Sequence, residues 1–85
     1  MDSPTFGDKY VGRQFNPSNN PDVDRLKALY AEIIDILNNK RTEVGGHHAE
    51  DSTGDPEAGE KSRLYSISIT KAQDAQMWAV KAVTY

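Results

Sequence analysis

Three polar side chains share one line along a helix that we predict near the end of the chain. Arg63, Ser66 and Thr70 stand at positions i, i+3 and i+7, and residues with this spacing lie on the same side of a helix. A guanidinium group followed by two hydroxyls can hold an anionic ligand that also forms hydrogen bonds. The same pattern occurs on ordinary solvated helix faces, so residue type and spacing leave both interpretations open.

A second set of candidates lies near the beginning of the chain, where aromatic rings are interspersed with cations. Phe6, Tyr10 and Phe15 lie close in sequence to Lys9 and Arg13. An aromatic ring can stack on a nucleobase while a neighbouring cation meets its phosphate. Alternatively, the rings hold this N-terminal arm against the rest of the fold, and the sequence on its own favours that structural role.

The sequence contains no nucleophile–base pattern and no metal-ligand pattern. There is no Cys, no Gly-rich phosphate loop precedes a predicted helix, and the adjacent His47 and His48 belong to a predicted loop without fixed geometry. The carboxylate pairs fall on exposed helix faces or in that loop. We therefore expect a binding protein with no enzymatic activity, no metal ion and no cofactor.

The line of Arg63, Ser66 and Thr70 belongs to the longest predicted helix, over residues 60–84, which contains no Gly and no Pro. Its apolar residues cover more than half of the circumference, whereas packing against one neighbour needs a stripe only about 100° wide. They are Leu64, Ile67, Ile69, Ala72, Ala75, Trp78, Ala79, Ala82 and Val83. A helix of this kind requires several neighbours, so we predict a homo-oligomer larger than a dimer.

Another long helix is predicted over residues 21–41. Asn20 can cap it, and Pro21 suits the first helical position because its missing N–H is not needed there. The apolar stripe consists of Val23, Leu26, Tyr30, Ile33, Ile34 and Leu37, and the solvated face of Arg25, Glu32, Asp35 and Asn39. Lys27 lies at the edge of the stripe, where its stem can pack while its ammonium group reaches outward.

The segment 42–59 between these helices is predicted to be a flexible, acidic and dispensable loop. It contains no Lys or Arg and five acids, which are Glu43, Glu50, Asp51, Asp55 and Glu57. Residues 1–20 contain two Pro and two Gly and are predicted to form an arm with one short helical turn. The predicted fold is all-α: a single domain, 1–85, in which the arm precedes a long antiparallel αα-hairpin, assembled into a compact homo-oligomer.

Charge and hydropathy narrow the set of partners. The net charge is −3, and because five of the 13 acids lie in the loop, the rest of the chain has ten basic and eight acidic residues. A mildly basic body suits a small anion better than a DNA or RNA polymer. No apolar run approaches the roughly 18 residues of a membrane span, and the N-terminus lacks a signal-peptide pattern. We therefore expect a soluble intracellular protein without a membrane partner.

Several stretches of the sequence resemble the helical hairpin domain of phage anti-defence sponge proteins. The most specific stretch is AQMWAVKA at 75–82, and VGRQFNPS at 11–18 followed by NPDVD at 20–24 resembles the anti-CBASS branch in particular. That family includes the anti-CBASS sponge, which sequesters cyclic oligonucleotides, and a related anti-Thoeris sponge. The resemblance covers residues 10–37 and 60–85, about two thirds of the chain.

The resemblance implies a phage protein that acts in the host cytoplasm. Its expected ligands are cyclic dinucleotides such as 3′,3′-cGAMP and cyclic trinucleotides, which it sequesters without degrading them. It also implies a compact hexamer with ligand pockets between protomers. Two alternatives remain open: a sponge for the cyclic ADP-ribose signals of Thoeris, and a structural or protein-interaction hairpin. Composition and periodicity do not separate these alternatives from the first function.

The resemblance further implies two sets of binding residues. For cyclic dinucleotides, the family uses an N-terminal tyrosine on the base and a lysine of the first long helix on the phosphate, which match Tyr10 and Lys27. Arg25 is the alternative to Lys27, since the spacing from the tyrosine can differ by a residue or two. For cyclic trinucleotides, the family uses an arginine and a hydroxyl residue of the second long helix, which match Arg63 and Ser66. The alternative hydroxyl belongs to Thr70.

Overall fold

The structure, a computed structural model, describes residues 3–45 and 56–85, and within these ranges it consists of three helices. Helix α1 spans Phe6–Val11, α2 spans Pro21–Gly45 and α3 spans Pro56–Val83. The molecule measures 50 × 29 × 13 Å, and because a helix with its side chains is about 10–12 Å across, the helices form a single layer. The prediction of an all-α hairpin is confirmed.

Two contacts show that α2 and α3 run antiparallel. At one end of the hairpin, the side-chain amide of Asn20 donates to the carbonyl of Val83, 3.3 Å away. Toward the other end, Arg41 Nη1 donates to Ser66 Oγ over 3.2 Å. The start of α2 therefore lies beside the end of α3.

Local hydrogen bonds define both ends of the short helix α1. Thr5 caps it: its hydroxyl accepts from the backbone N–H of Asp8, and the Asp8 carboxylate accepts from the Thr5 N–H, each over 3.0 Å. Such a capping box satisfies two donors that a helix start leaves free. Gly12 ends the helix in the left-handed conformation, with φ of 64°, which glycine adopts without steric cost.

The helix α1 packs unusually close to α2 because Gly7 has no side chain. A Cβ atom at Gly7 would lie only 2.1 Å from the carbonyl oxygen of Ala31. At the same contact, the Gly7 N–H donates to the Asp35 carboxylate over 2.7 Å. The prediction that Asp35 belongs to the solvated face is therefore wrong, because α1 packs there and half-buries this side chain.

Both long helices extend beyond their predicted bounds. The helix α2 continues to Gly45 instead of ending at 41, supported by a hydrogen bond from Thr42 Oγ1 to the Asn38 carbonyl (2.9 Å). The helix α3 begins at Pro56 instead of 60, and proline is well suited to a first helical position. The predicted loop 42–59 is therefore helical at both ends. Residues 46–55, including the two histidines, lie outside the described residues.

The core is small, and much apolar surface stays uncovered. Its central cluster consists of Val11, Ala31, Ile34 and Ile69, with Tyr30, Leu37 and Ala72 packed against it. Several large apolar side chains are exposed, among them Leu29, Ile33 and Ile36 on α2 and Leu64, Ile67, Met77 and Trp78 on α3. The Trp78 side chain is 64% exposed. The wide apolar face of α3 is thus not covered within one chain, and the oligomer that would cover it stays a prediction.

Candidate functional site

The larger of two candidate sites is a groove of about 560 Å³ between α1, the loop that follows it and the C-terminal half of α3. We call it the α1–α3 groove. Its lining residues are Lys9, Tyr10, Val11, Gly12, Phe15, Lys27, Gln73, Gln76, Met77, Val80 and Lys81. The structure therefore brings Tyr10 and Lys27 to the same groove. Pockets of roughly 300–1,000 Å³ are typical of small-molecule sites.

The ring of Tyr10 is available to a ligand and supported from within the chain. It is 39% exposed and stacks on Phe6 with centroids 5.3 Å apart and planes inclined by 21°. Phe6 is contacted in turn by the Arg41 guanidinium, 5.6 Å from its centroid. This order of contacts restricts the orientation of Tyr10, which reduces the cost of stacking on a ligand.

The Lys27 ammonium is held inside the fold, so the prediction that it reaches outward is wrong. Lys27 is only 5% exposed, and its Nζ donates to the carbonyls of Gly12 (2.9 Å) and Phe15 (2.5 Å). Since this loop after α1 folds over α2, the lysine satisfies two of its carbonyls. Burial lowers the pKa of Lys27, and the nearby Asp24 partly counteracts this. An ammonium group has three donors, so one is left for a ligand.

The charge of the α1–α3 groove favours an anion. Lys9, Lys27 and Lys81 contribute three ammonium groups, and none of the described lining residues is acidic. The ammonium of Lys81 also lies 5.3 Å from the Trp78 ring centroid, over that ring, which is a cation–π contact. Ammonium groups beside exposed aromatic rings suit a ligand with both phosphates and bases.

Arg25, the alternative to Lys27, does not line this groove. It is exposed on α2, and residues two apart on a helix point about 200° from one another. The arrangement therefore favours Lys27.

Two glutamines that line the groove were not predicted from the sequence. Gln73 and Gln76 lie on α3 at four and seven residues after the buried Ile69, so they occupy the core-facing side of the helix. Gln73 is half-buried, whereas Gln76 is 3% exposed. The only signal in the sequence was that two polar amides occupy positions where the helical spacing predicts apolar residues. This pattern is typical of a side of a helix that faces both a core and a cleft.

The second candidate site is a groove of about 430 Å³ on α3, lined by Arg63, Ser66, Ile67, Thr70 and Lys71. We call it the Arg63 groove. The predicted residues Arg63, Ser66 and Thr70 thus line one surface. Lys71 adds a cation that was not predicted from the sequence. All lining residues belong to one helix.

Polar groups of the Arg63 groove are already paired within the chain. Arg63 forms a two-point ion pair with Glu60, Nη2–Oε2 at 2.8 Å and Nε–Oε1 at 3.1 Å. This pairing lowers the pKa of Glu60 and raises the pKa of Arg63. The Ser66 hydroxyl accepts from Arg41, and the Thr70 hydroxyl donates to the Ser66 carbonyl over 3.2 Å. A phosphate ligand would have to compete with these contacts, of which the Arg41–Ser66 hydrogen bond is part-buried and the others are exposed.

The described residues contain neither a cluster of metal ligands nor a membrane-spanning helix. Within residues 3–45 and 56–85 there is no group of three or more potential metal ligands. The histidine pair, the weak candidate for metal binding, falls outside these ranges. None of the described helices combines the length and apolarity needed to cross a bilayer.

A family model described as "Acb2/Tad1, hairpin domain" matches residues 8–84, nearly the whole chain. The matched range includes every lining residue of both grooves. Neither the curated proteins nor the solved structures yield a match.

Proposed function

Because the chain belongs to the Acb2/Tad1 hairpin family, we propose that it sequesters cyclic oligonucleotide second messengers in the cytoplasm of an infected bacterium. Membership confirms the resemblance described from the sequence and supports a sponge-type anti-defence role in general. In this proposal the protein is a phage anti-CBASS factor that binds its ligands without degrading them. It acts without a cofactor or metal ion.

The composition of the α1–α3 groove carries this proposal. A nucleotide presents flat bases and negative phosphates, and the groove offers the exposed rings of Tyr10 and Phe15 beside three ammonium groups. Base stacking on an aromatic side chain contributes about 1–3 kcal/mol, and a charge-assisted hydrogen bond about 1.5–3 kcal/mol. We assign this groove to cyclic dinucleotides such as 3′,3′-cGAMP, with Tyr10 on a base and Lys27 at a phosphate.

The Arg63 groove is our candidate for the larger cyclic trinucleotides. A ring with three phosphates matches three copies of one guanidinium around a three-fold axis. Arg63 would supply that guanidinium, and Ser66 or Thr70 would supply hydrogen bonds to phosphates or base edges. The groove lies on a single helix face, so neighbouring copies of the chain would have to complete it.

The exposed apolar side chains of α2 and α3 support assembly into a homo-oligomer, for which we propose a hexamer. A single layer of helices cannot enclose them. Burying them between copies removes apolar surface from water at about 25 cal/mol per Å². Short chains of this size often gain stability by oligomerisation.

A binding and recovery experiment tests the proposed function. The purified protein is titrated with 3′,3′-cGAMP by calorimetry, then denatured, and the released nucleotide is identified by mass spectrometry. We expect tight binding and full recovery of the intact cyclic dinucleotide. Linear products would show that the protein degrades its ligand.

Two further ligands decide between the alternatives. Binding of a cyclic ADP-ribose isomer in place of cyclic di- and trinucleotides would support the Thoeris sponge. Binding of none of these ligands would support a structural or protein-interaction hairpin and overturn the proposal.

A further inference from the structure

Gln76 is a buried polar side chain for which residues 3–45 and 56–85 provide no hydrogen-bond partner. It is 3% exposed and lines the α1–α3 groove. Among residues 3–45 and 56–85, no hydrogen bond reaches its side-chain amide, whereas Lys27, the other buried polar residue there, has two. Of the two buried polar side chains that line this groove, Lys27 therefore has hydrogen-bond partners within the described part of the chain and Gln76 has none there.

An unpartnered buried amide lowers the stability of a fold. Nearly all buried polar groups in native proteins have a hydrogen-bond partner, and exceptions call for a specific explanation such as a functional role. An apolar side chain of similar size would fill the same space without this cost. The position of Gln76 at the wall of a groove indicates that its partner comes from the groove.

The amide of Gln76 supplies what the ammonium groups of the groove lack. Lysine ammonium groups only donate hydrogen bonds, so they serve phosphates and cannot accept from the exocyclic amine of a base. A glutamine amide has an acceptor and two donors side by side, and it pairs at two points with N6 and N7 of adenine. Burial also restricts the side chain, so little further ordering is needed on binding.

We propose that Gln76 is the specificity-determining residue of the α1–α3 groove and that its amide reads the edge of an adenine base. This inference rests on the proposed function, since it concerns the base of a nucleotide in the same groove. Tyr10 would stack on the base, Lys27 would bind the phosphate, and Gln76 would distinguish adenine from other bases by hydrogen bonds. Gln14, in the loop after α1, is exposed and does not line this groove, and it provides a matched glutamine control.

The test compares the parent chain with Gln76→Met, Gln76→Glu and Gln14→Met. Each protein is titrated by calorimetry with cyclic di-AMP and with cyclic di-GMP at one salt concentration. Its melting temperature without ligand and its mass by light scattering are also measured. We expect the parent to prefer cyclic di-AMP.

Gln76→Met is expected to raise the melting temperature, because it removes an unpartnered amide, and to weaken cyclic di-AMP binding at least tenfold. The oligomer mass should stay unchanged, and Gln14→Met should bind within about threefold of the parent, because its side chain lies outside the groove. The carboxylate of Gln76→Glu can only accept hydrogen bonds. It should therefore move the nucleotide preference toward cyclic di-GMP, because N1 and N2 of guanine both donate. If the buried carboxylate prevents folding, Gln76→Met decides.

Several results would overturn the inference. A lower melting temperature of Gln76→Met would show that the amide has a partner in the fold, and a changed mass would place that partner in a second copy of the chain. Unchanged affinity and preference in Gln76→Met, or an equal loss in Gln14→Met, would also contradict it. Failure of the parent to bind either nucleotide would instead count against the proposed function, and this result is distinct from a failure of the variant alone.

Discussion

The two grooves of this chain are built in opposite ways. The α1–α3 groove lies between three segments, and its polar groups include the buried Lys27 and Gln76. The Arg63 groove lies on one helix, and its guanidinium is exposed and paired with Glu60. A group fixed by the fold is positioned before a ligand arrives, whereas an exposed group is ordered when the ligand binds. The first groove is therefore largely prepared within one chain, and the second depends on what surrounds it.

This difference has an energetic consequence. Immobilising a flexible side chain on binding costs roughly 0.5–1.5 kcal/mol, a cost that the fold has already met for Lys27 through its two carbonyl partners. To bind a phosphate, Arg63 must either give up its ion pair with Glu60 or hold the phosphate while that carboxylate stays close by. We therefore expect the two grooves to respond differently to the same perturbation.

The largest effect is expected from Trp78→Asp, which places a charge on the exposed apolar side of α3. If that side is a dry interface between copies, an unpaired charge there breaks the assembly. Light scattering should show the mass falling from about six times 9.4 kDa toward a single chain. Cyclic trinucleotide binding should be lost, because the Arg63 groove needs its neighbours, and cyclic dinucleotide binding should be weakened less.

Trp78→Phe is the control, since it keeps an aromatic ring and should keep the oligomer. A parent protein that is monomeric at micromolar concentration would remove the basis for this prediction. If Trp78→Asp disassembles but retains trinucleotide binding, the Arg63 groove is complete within one chain and the comparison fails.

Arg63→Ala should act on one groove alone. A guanidinium–phosphate hydrogen bond contributes about tenfold or more in affinity, so its loss from three copies should weaken cyclic tri-AMP binding by about a hundredfold or more. Binding of 3′,3′-cGAMP should change less than about twofold, because Arg63 is not part of the α1–α3 groove. Calorimetry with each nucleotide in turn measures both values.

Glu60→Gln sharpens this prediction. It removes the carboxylate that pairs with Arg63 and should strengthen trinucleotide binding. Loss of both ligands in Arg63→Ala, or of neither, would contradict the assignment of two separate sites.

Features of the fold and the sites could be predicted from the sequence where they depend on neighbouring residues, and not where they depend on packing between distant segments. The start of α2 followed from Asn20 and Pro21, and the line of Arg63, Ser66 and Thr70 followed from helical spacing. The buried state of Lys27 depends on the loop after α1 folding over α2, which no local pattern encodes. Asp35 was misplaced for the same reason, since the absent side chain of Gly7 admits α1. Gln76 left only a weak local signal, a polar amide at an apolar-periodic position.

Tyr10→Ala tests the aromatic half of the prepared groove. Loss of a base stack of about 1–3 kcal/mol corresponds to roughly 5- to 150-fold in affinity, and we expect at least tenfold for 3′,3′-cGAMP. Trinucleotide affinity and oligomer mass should match the parent, since Tyr10 lies outside the Arg63 groove.

Tyr10→Phe keeps the ring and its stack on Phe6, so it should bind within about threefold of the parent. An equal loss in Tyr10→Phe would assign the effect to the hydroxyl instead of the ring. Parent-like binding in Tyr10→Ala would show that this tyrosine does not stack on the ligand.

The smallest effect is expected from replacing residues 46–54 by Gly and Ser at equal length. The replacement removes Glu50 and Asp51 and both histidines. Two negative charges repel a polyphosphate, but charges are screened over about 8 Å at 0.15 M salt. At that salt concentration, calorimetry should find both ligands within about threefold of the parent.

Low salt should reveal the difference between the two grooves. At a rise of about 1.5 Å per residue, Arg63 lies about 10 Å along α3 from Pro56, and Lys81 lies about 37 Å along it. Because the screening length at 0.01 M salt is about 30 Å, trinucleotide binding should gain more from the replacement than dinucleotide binding. A large loss of either ligand would mean that the replaced histidines or acids take part in binding, and titration with Zn²⁺ would then test the metal interpretation of the pair.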